Sequence, residues 1–451
     1  MDPDLRNADL DELERDEMES PGAAEPLEAE PTAYAPSVAE RLAIYQRAGG
    51  IVTPLITIVF AFFMGGLVVF LTHPSAGLRL PYEVYKGIFF GSGLDWFFHF
   101  GSYHIDLPFT NHQVFFWWNT STQNNSAYNL QQTLILTSTL ILTGLAVAFA
   151  FRCGLFNIGG QGQYFVGVIT GIWIGTRFPG MNHGVHILFA MAVAAAAGAL
   201  WAAIAGFLKA TTGAHEVIST IMLNWIAYWI GVWVFGQGGP LQGPQKFSPT
   251  SAVVVPSARL PVFWGIPLLQ GVHIGFFIAL FALVAFWFTL QRTTLGYEVR
   301  AVGFNPDAAR YGGISVKRNY VVAMAVSGMF AGIAGAIDML GYLYQYGSLD
   351  VQVSTIGFIG IAVALLGRNK AVGVGLSALL FACLIYGTSG RGISSNVIPP
   401  ELTGNLALMI QAFVLLFIGA DVLILYVWQA RKKLVRKRPP PAEPQPTGST
   451  S

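Results

Sequence analysis

The chain alternates between long apolar stretches and short polar segments, and the apolar stretches have the length of membrane-spanning helices. A helix needs about 20 apolar residues to cross roughly 30 Å of hydrocarbon. Arg368, Asn369 and Lys370 interrupt one longer apolar block and indicate a polar turn at a membrane face. The pattern therefore predicts ten spanning helices, approximately at residues 51–71, 130–151, 155–175, 185–208, 217–235, 274–290, 320–340, 354–366, 371–386 and 406–427.

Composition favours the same class of protein. Hydrophobic residues make up 53% of the 451 residues and charged residues 11%, whereas a soluble domain normally carries about 25% charged residues. The two cysteines, Cys153 and Cys383, lie in or beside apolar stretches, which favours buried free thiols over a disulfide framework. We therefore predict an all-α polytopic membrane protein with about ten transmembrane helices in one folded domain.

The sequence lacks the usual signs of catalysis. It contains no G-x-x-x-x-G-K-[ST] phosphate loop, and its histidines do not have the spacing of a metal site. We therefore predict no catalytic residues, no metal site and no cofactor in this chain, and we expect no nucleic-acid partner.

Charge divides the chain into three parts. Residues 1–47 begin with a strongly acidic segment and predict a disordered tail, because such a segment buries too little apolar area to offset its ordering entropy. Residues 48–428 contain the spans and form the transmembrane domain. Residues 429–451 are first basic and then Pro-rich, which predicts a second tail.

The basic residues of the loops predict the orientation of the spans. They concentrate on one side of the membrane, which the positive-inside rule assigns to the cytoplasm. Both termini and the segment 291–318 are then cytoplasmic, and the loops 72–129 and 236–273 are extracytoplasmic. Five spans followed by five give two halves of opposite orientation, which predicts a 5+5 inverted repeat.

The segment 291–318 carries the signals of a short capped helix. Asn305 is a good N-cap, Pro306 suits the first helical position, and Asp307 complements the positive helix end. Gly313 follows as part of a left-handed stop. Such a stiff element between two spans could transmit the motion of a motor domain, and an ordinary capped loop is the alternative.

Polar side chains cluster inside the third apolar stretch. Asn157, Gln161 and Gln163 alternate there with glycines, and Gln161 lies nine residues after Arg152, about 14 Å along a helix. Amides offer donors and acceptors to a neutral hydroxylated solute on its path. The alternative is hydrogen bonding between helices around a contact of small residues.

Two further groups flank the next polar turn. His215 and Glu216 follow Lys209 at a span end and are candidates for a gate or a loop anchor. Asn224 and Trp225 lie deeper, where an amide beside an aromatic ring could bind and stack on a base. Packing of these side chains against lipid or protein is the alternative.

Three motifs resemble those of one transporter family. They are GLFNIGGQGQYFVG at 154–167, TGAHEVISTIMLNWIA at 212–227 and TTLGYEVRAVGFNPDAARYGGI at 293–314. These motifs are similar to those of permeases that serve ABC importers of sugars, nucleosides and branched-chain amino acids, in particular the nucleoside branch. The likeness covers roughly residues 130–421, and the branch often has Glu where this chain has Gln161.

The resemblance implies a role for each motif. The first two motifs carry the substrate-path candidates Asn157, Gln161, Gln163, Asn224 and Trp225. The third motif is similar to the segment that couples a permease to its ATPase. The residues implied in that contact are Leu295, Gly296, Arg300, Asn305, Pro306, Asp307, Ala308, Ala309 and Gly313.

The function implied is that of a permease subunit in an ATP-driven importer of nucleosides that works by alternating access. Its expected partners are a cytoplasmic ATP-binding protein that holds ATP and Mg²⁺, a second permease subunit in a heterodimer, an extracytoplasmic solute-binding protein and membrane lipid. The expected location is the bacterial cytoplasmic membrane. Import of simple sugars or branched-chain amino acids is one alternative, and an ion-coupled carrier using Asp338 or Asp421 is another.

Overall fold

The computed structural model describes residues 38–72, 77–97, 125–265, 271–388 and 400–419. The beginning of the first helix belongs to the compact unit 1–51, and the bundle belongs to the unit 52–451. The predicted acidic and basic tails lie mostly outside the described residues, although the first helix already begins at Val38.

The described residues form a helical bundle with one two-stranded sheet. The helices are α1 (Val38–Thr72), α2 (Arg79–Gly91), α3 (Asn125–Arg152), α4 (Gly160–Gly175), α5 (His183–Thr212), α6 (Glu216–Phe235), α7 (Gly275–Arg292), α8 (Thr294–Phe304), α9 (Pro306–Tyr311), α10 (Val316–Asp338), α11 (Ser348–Val353), α12 (Ile356–Leu366), α13 (Ala371–Gly387) and α14 (Pro400–Gly419). A π-helical turn, Met339–Leu343, extends α10, and the strands β1 (Val262–Trp264) and β2 (Val272–His273) pair antiparallel.

The helices confirm the prediction of a polytopic helical membrane protein. In the described part of the chain, seven helical segments are long and apolar enough to cross a membrane, and Ala371–Gly387 is a shorter apolar helix. Two predicted spans begin later than the apolar pattern suggested. Residues 155–159 precede α4 without being helical, and Ser354 and Thr355 separate α11 from α12.

The packing order agrees with the predicted inverted repeat. The central helix α3 packs against α10, α12 and α13, and α10 packs against α3, α4 and α5. Exchanging α3 with α10, α4 with α12 and α5 with α13 converts one set of contacts into the other. The pairs α4–α6 and α12–α14 follow the same exchange.

Small residues bring α5 and α10 into backbone contact. A Cβ atom built on Gly198 would lie 2.9 Å from the Cα atom of Gly332, so no larger side chain fits between these helices without moving them. Gly328 faces Gly198 on the same seam. Packing of this kind replaces the hydrophobic effect, which does not drive helix association inside lipid.

Two ends of the bundle are used below as landmarks. The Arg152 end contains the C-termini of α3 and α5, the helices α8 and α9, and the turn 367–370. The Tyr344 end contains the loop after α6 and the π-helical turn, which are joined where the backbone amide of Val254 donates to Tyr344 O at 2.8 Å.

Candidate functional site

Two helices start inside the bundle and lack a cap of their own. The N-cap residue of α4 is Gly159 and that of α12 is Thr355, and neither makes a side-chain cap hydrogen bond. The first amides of a helix have no partner within the helix. Buried in a membrane domain, they need acceptors from elsewhere in the protein.

Side-chain amides from neighbouring elements supply these acceptors. Asn224 on α6 accepts from the backbone amide of Gly162 at 2.8 Å, and its Nδ2 donates to Ile158 O at 2.9 Å. Gln161 accepts from the backbone amide of Gly357 at 2.7 Å, and its Nε2 donates to Ser354 O at 2.9 Å. Each side chain therefore completes an interrupted backbone on both sides of the break.

Asn157 and Gln163 extend the same network. They exchange two hydrogen bonds, of 3.0 and 3.1 Å, and Asn157 also donates to Ser327 Oγ on α10 at 2.7 Å. We call Asn157, Gln161, Gln163 and Asn224 the amide cluster, and its members are 1–6% exposed. In this conformation the cluster braces α4, α6, α10 and α12.

The amide cluster lies near the middle of the bundle. Gly360, one turn along α12 from the residue that Gln161 caps, packs against Thr143. Thr143 lies nine residues before the end of α3, which corresponds to about 14 Å along the helix axis. A contact between a solute and the cluster requires the present hydrogen bonds to be exchanged, and this role stays a prediction.

Trp225 is not brought to the amide cluster. It is 56% exposed and lies on the outer face of α6. Trp229 and Trp233 follow on the same face at 61% and 65% exposure. The two neighbours Asn224 and Trp225 thus point into and out of the described bundle, respectively.

Glu216 fastens the turn between α5 and α6. Its carboxylate lies 2.9 Å from Lys209 Nζ, and the turn passes through Gly213 with a φ of +72°. His215 is the N-cap of α6 and makes no side-chain cap hydrogen bond. The ion pair links the two ends of the turn, and the role of these residues as a gate or a loop anchor stays a prediction.

The segment 291–318 contains two capped helices. Thr293 Oγ1 accepts from the backbone amide of Gly296 at 3.1 Å and caps α8. Asn305 Oδ1 accepts from the amides of Asp307 and Ala308 at 3.0 and 3.1 Å and caps α9. Pro306 occupies the first position of α9, and Gly313 follows with a φ of +80°.

Helix α8 is fastened firmly to the bundle. Its partly buried Leu295 packs against the hydrophobic core, and Gly296 lies against the end of α7. Within α8, Arg300 Nε donates to Gly296 O at 3.2 Å. Glu298 accepts from Asn319 Nδ2 on α10 at 3.0 Å. The base of α9 is therefore fixed by packing and by hydrogen bonds.

A second connection runs from α8 to the turn before α13. Gly303 lies against the backbone of Arg152 and Cys153. The guanidinium of Arg152 donates to Asn369 O at 3.0 and 2.7 Å. Contacts therefore link α8 to the C-terminal end of α12, whose other end is capped by Gln161.

Two aromatic side chains flank α9 and were not singled out from the sequence. Phe304 is 89% exposed and Tyr311 is 95% exposed, whereas Ala309 is buried against the bundle. Aromatic residues beside apolar spans usually pack against the protein or lipid, so the sequence alone did not predict that these two would be exposed. The usable signal was their position at the two ends of a six-residue helix.

Asp338 lies in the bundle core. It is 4% exposed and accepts from the hydroxyls of Thr139 and Tyr164, the latter at 2.7 Å. Its carboxylate lies between α3, α4 and α10, directly before the π-helical turn that leads to the Tyr344 end. Asp421 lies outside the described residues.

Comparison with known proteins identifies the type of bundle. Residues 129–419 match the family described as "Branched-chain amino acid transport system / permease component". The guanosine ABC transporter permease protein NupP of Bacillus subtilis is 40% identical over 68% of this chain and 85% of its own length. No solved structure matches the chain.

Two further relatives differ in the solute that their names carry. The nucleoside ABC transporter permease protein NupB of Lactococcus lactis is 35% identical over 66% of this chain and 81% of its own length. The glucose ABC transporter permease protein TsgB13 of Haloferax volcanii is 35% identical over 65% of this chain and 76% of its own length. The described residues form a helical membrane bundle, the family model matches most of the chain, and these relatives are ABC permeases. The chain therefore belongs to the permease-component family of branched-chain amino acid transport systems.

Proposed function

We propose that this chain is one permease subunit of an ATP-driven importer that moves nucleosides by alternating access. The observation that carries the proposal is the segment 291–318. It presents an exposed, capped helix, α9, and fastens that helix through Gly303 and Arg152 to the turn before α13. A push on α9 would therefore reach the interrupted helix α12 without being absorbed by a flexible loop.

The motor in this proposal is a separate ATP-binding protein. It binds ATP and Mg²⁺ and hydrolyses ATP, while this chain supplies the docking helix and the path. Phe304 and Tyr311 would enter apolar notches on that partner, since exposed aromatic anchors carry much of the energy of protein interfaces. The excess of basic residues at the Arg152 end supports a cytoplasmic location for this end and for both termini.

Nucleosides fit the chemistry of the amide cluster. Its four side chains are neutral donors and acceptors, which suit hydroxyl groups and base edges. Two relatives carry guanosine or nucleoside in their names. A relative named for glucose makes a simple sugar the second candidate. A branched-chain amino acid would bring two charges, and the cluster offers no counter-charge.

The relatives also support a heterodimer with a second permease. In Bacillus subtilis, NupP is 40% and NupQ 28% identical to this chain. In Lactococcus lactis, NupB is 35% and NupC 28% identical. This chain would take the place of the first kind and pair with a subunit of the second kind. A solute-binding protein outside the membrane would deliver the nucleoside.

Uptake measurements test the proposal. Cells lacking the gene should lose uptake of labelled guanosine but keep uptake of ribose and leucine, and the wild-type gene should restore it. The protein with Asp307→Arg and Ala308→Trp should insert into the membrane but fail to restore uptake, because both changes obstruct docking on α9. Gly180→Ala, in open space at the Tyr344 end, is the matched control and should restore uptake fully.

Other outcomes distinguish the alternatives. Loss of ribose or leucine uptake with unchanged guanosine uptake would replace the solute. Full activity of the double variant would remove the role of α9. Uptake that stops when the ion gradient is collapsed while ATP is maintained would favour an ion-coupled carrier that uses Asp338.

A further inference from the structure

The loop after α6 forms a stiff hairpin at the Tyr344 end. We call residues 242–251 the outer hairpin, because Gln242 and Ser251 pair as an antiparallel bridge at its base. The side chain of Gln242 donates to Lys246 O and Ser248 O, both at 3.1 Å, and accepts from the backbone amide of Gly238 at 2.7 Å. These three hydrogen bonds hold the tip in one conformation.

The tip of the outer hairpin exposes an aromatic side chain beside a positive charge. Phe247 is 97% exposed, and Lys246 precedes it. The backbone amides of both residues donate to no group in the described part of the chain. Backbone amides without a partner are not tolerated in hydrocarbon, so the tip faces water. Single exposed apolar residues are common on proteins, but this one stands on a loop that is already ordered.

The charge around the hairpin indicates the chemistry of a partner. The described segments next to it are 176–182, 236–265 and 344–355. They carry Arg177, Lys246 and Arg259 but one acidic residue, Asp350 on α11. Asp350 is exposed, and its carboxylate accepts from the backbone amide of Gly347 at 2.7 Å. Three basic groups against one acidic group leave these segments with a positive balance. A complementary surface therefore has carboxylates around an apolar notch.

The base of the outer hairpin is joined to α11, the short helix that precedes α12. Ser251 N donates to Tyr346 O at 2.8 Å, and Ser348 N donates to Pro249 O at 3.0 Å. Ser348 begins α11, which leads directly to the start of α12, where Gln161 caps Gly357. A protein bound at the tip would thus pull on the same helix that α9 reaches from the other end.

We propose that the outer hairpin is the docking knob for the solute-binding protein, with Phe247 in an apolar notch and Lys246 paired with a carboxylate. This inference rests on the proposed function as an importer. The preformed tip keeps the ordering cost of docking low, which favours a brief and repeated contact.

Binding at the tip can be followed with a reporter beside Phe247. Cys153 and Cys383 are buried, so an environment-sensitive thiol dye on a Gln245→Cys protein labels the tip. The labelled transporter, assembled with its ATP-binding and permease partners in lipid nanodiscs, is titrated with its solute-binding protein loaded with guanosine. The dye should report a drier environment on binding, and binding should weaken with added salt.

Substitutions at the tip then separate docking from transport. Phe247→Ser and Lys246→Glu should each weaken binding at least about tenfold, which is about 1.4 kcal/mol, and leave ATP hydrolysis without binding protein unchanged. Val253→Ser, a half-exposed apolar position in the same loop, is the matched control and should bind like the wild type.

Two results would overturn the inference, and a third concerns the proposed function. Unchanged affinity in both tip variants would exclude the hairpin as the docking site. A dye that is already in a dry environment without binding protein would make lipid the occupant. A wild-type complex that neither imports guanosine nor responds to the binding protein would refute the importer itself.

Discussion

The side chain of Gln161 makes the backbone hydrogen bonds that a continuous helix would make at the break between α11 and α12. Its oxygen replaces the carbonyl that a preceding turn would offer to Gly357, and its nitrogen satisfies Ser354 O. Hydrogen bonds that replace buried backbone partners are costly to remove, at about 1–3 kcal/mol for each group left unsatisfied. At the residue scale, this side chain is the most consequential member of the amide cluster.

Replacing Gln161 should therefore loosen the mid-bundle contact between α4 and α12. Gln161→Leu leaves two backbone groups unpaired and should lower stability by about 2–6 kcal/mol. Gln161→Glu keeps an acceptor for Gly357 and should lose less. The measurement is the unfolding temperature of the purified protein in detergent, with exposed Gln291→Leu as the control. Equal temperatures for the wild type and Gln161→Leu would contradict the bracing role.

His273 is a second residue whose surroundings determine its chemistry. Its Nδ1 accepts from the backbone amide of Gly275 at 3.2 Å, and the ring is 1% exposed. A Cβ on Gly275 or Gly341 would come within 2.6 Å of the ring. Burial in this slot lowers the pKa of His273 from 6.5 to about 4, because the charged imidazolium would be desolvated.

This pKa predicts a loss of stability in acid. Between pH 6.5 and 4 the unfolded chain binds a proton on His273, while the folded protein keeps the ring neutral. The folded state therefore has its full stability above about pH 6.5 and loses part of it as the pH falls towards 4. The loss should be roughly 3 kcal/mol over that window. Unfolding temperatures measured from pH 7.5 to 4.5 should fall less steeply for His273→Asn, which keeps an acceptor for Gly275. Parallel curves would show that His273 does not titrate in this range.

At the scale of elements, local chemistry predicted some features and long-range contacts determined the others. The cap Asn305, Pro306 and the stop at Gly313 identify α9 because capping involves neighbours in sequence. The starts of α4 and α12 could not be found in this way, because their acceptors come from other elements. For α12, the acceptor Gln161 lies nearly 200 positions before Gly357 in the sequence. The apolar pattern also continues across a helix break that is buried, so it does not show where the break lies.

The joint between α5 and α6 provides the element-scale prediction. Lys209 and Glu216 form a partly buried ion pair of 2.9 Å across a turn. Glu216→Gln should destabilise the joint by about 1–3 kcal/mol, because it leaves a partly desolvated ammonium without its counter-charge. Proteolysis of the turn in membrane vesicles measures this as faster cleavage between the two helices.

The double exchange Lys209→Glu with Glu216→Lys is the control for the joint. It restores opposite charges in reversed order and should slow cleavage again. If the exchange is as sensitive as Glu216→Gln, the pair does not act as an anchor.

For the whole molecule, the sequence predicted the class of fold better than its internal assembly. Ten apolar stretches and the five-plus-five arithmetic led to an inverted repeat, and the exchange of α3 with α10 agrees with it. Periodicity does not reveal which face of a helix is buried when every face is apolar. Trp225 illustrates the limit: its neighbour Asn224 is in the amide cluster, yet Trp225 lies on the outer face.

The seam of glycines between α5 and α10 has a mechanical consequence. Where Gly198 and Gly332 meet, backbone touches backbone, and no side-chain rotamers exist there that could repack into a second arrangement. We therefore expect α5 and α10 to stay together as one rigid unit while the rest of the subunit moves relative to them. Spin labels placed across this seam would keep their spacing through a transport cycle, and a label pair spanning α5 and α12 would record the stroke.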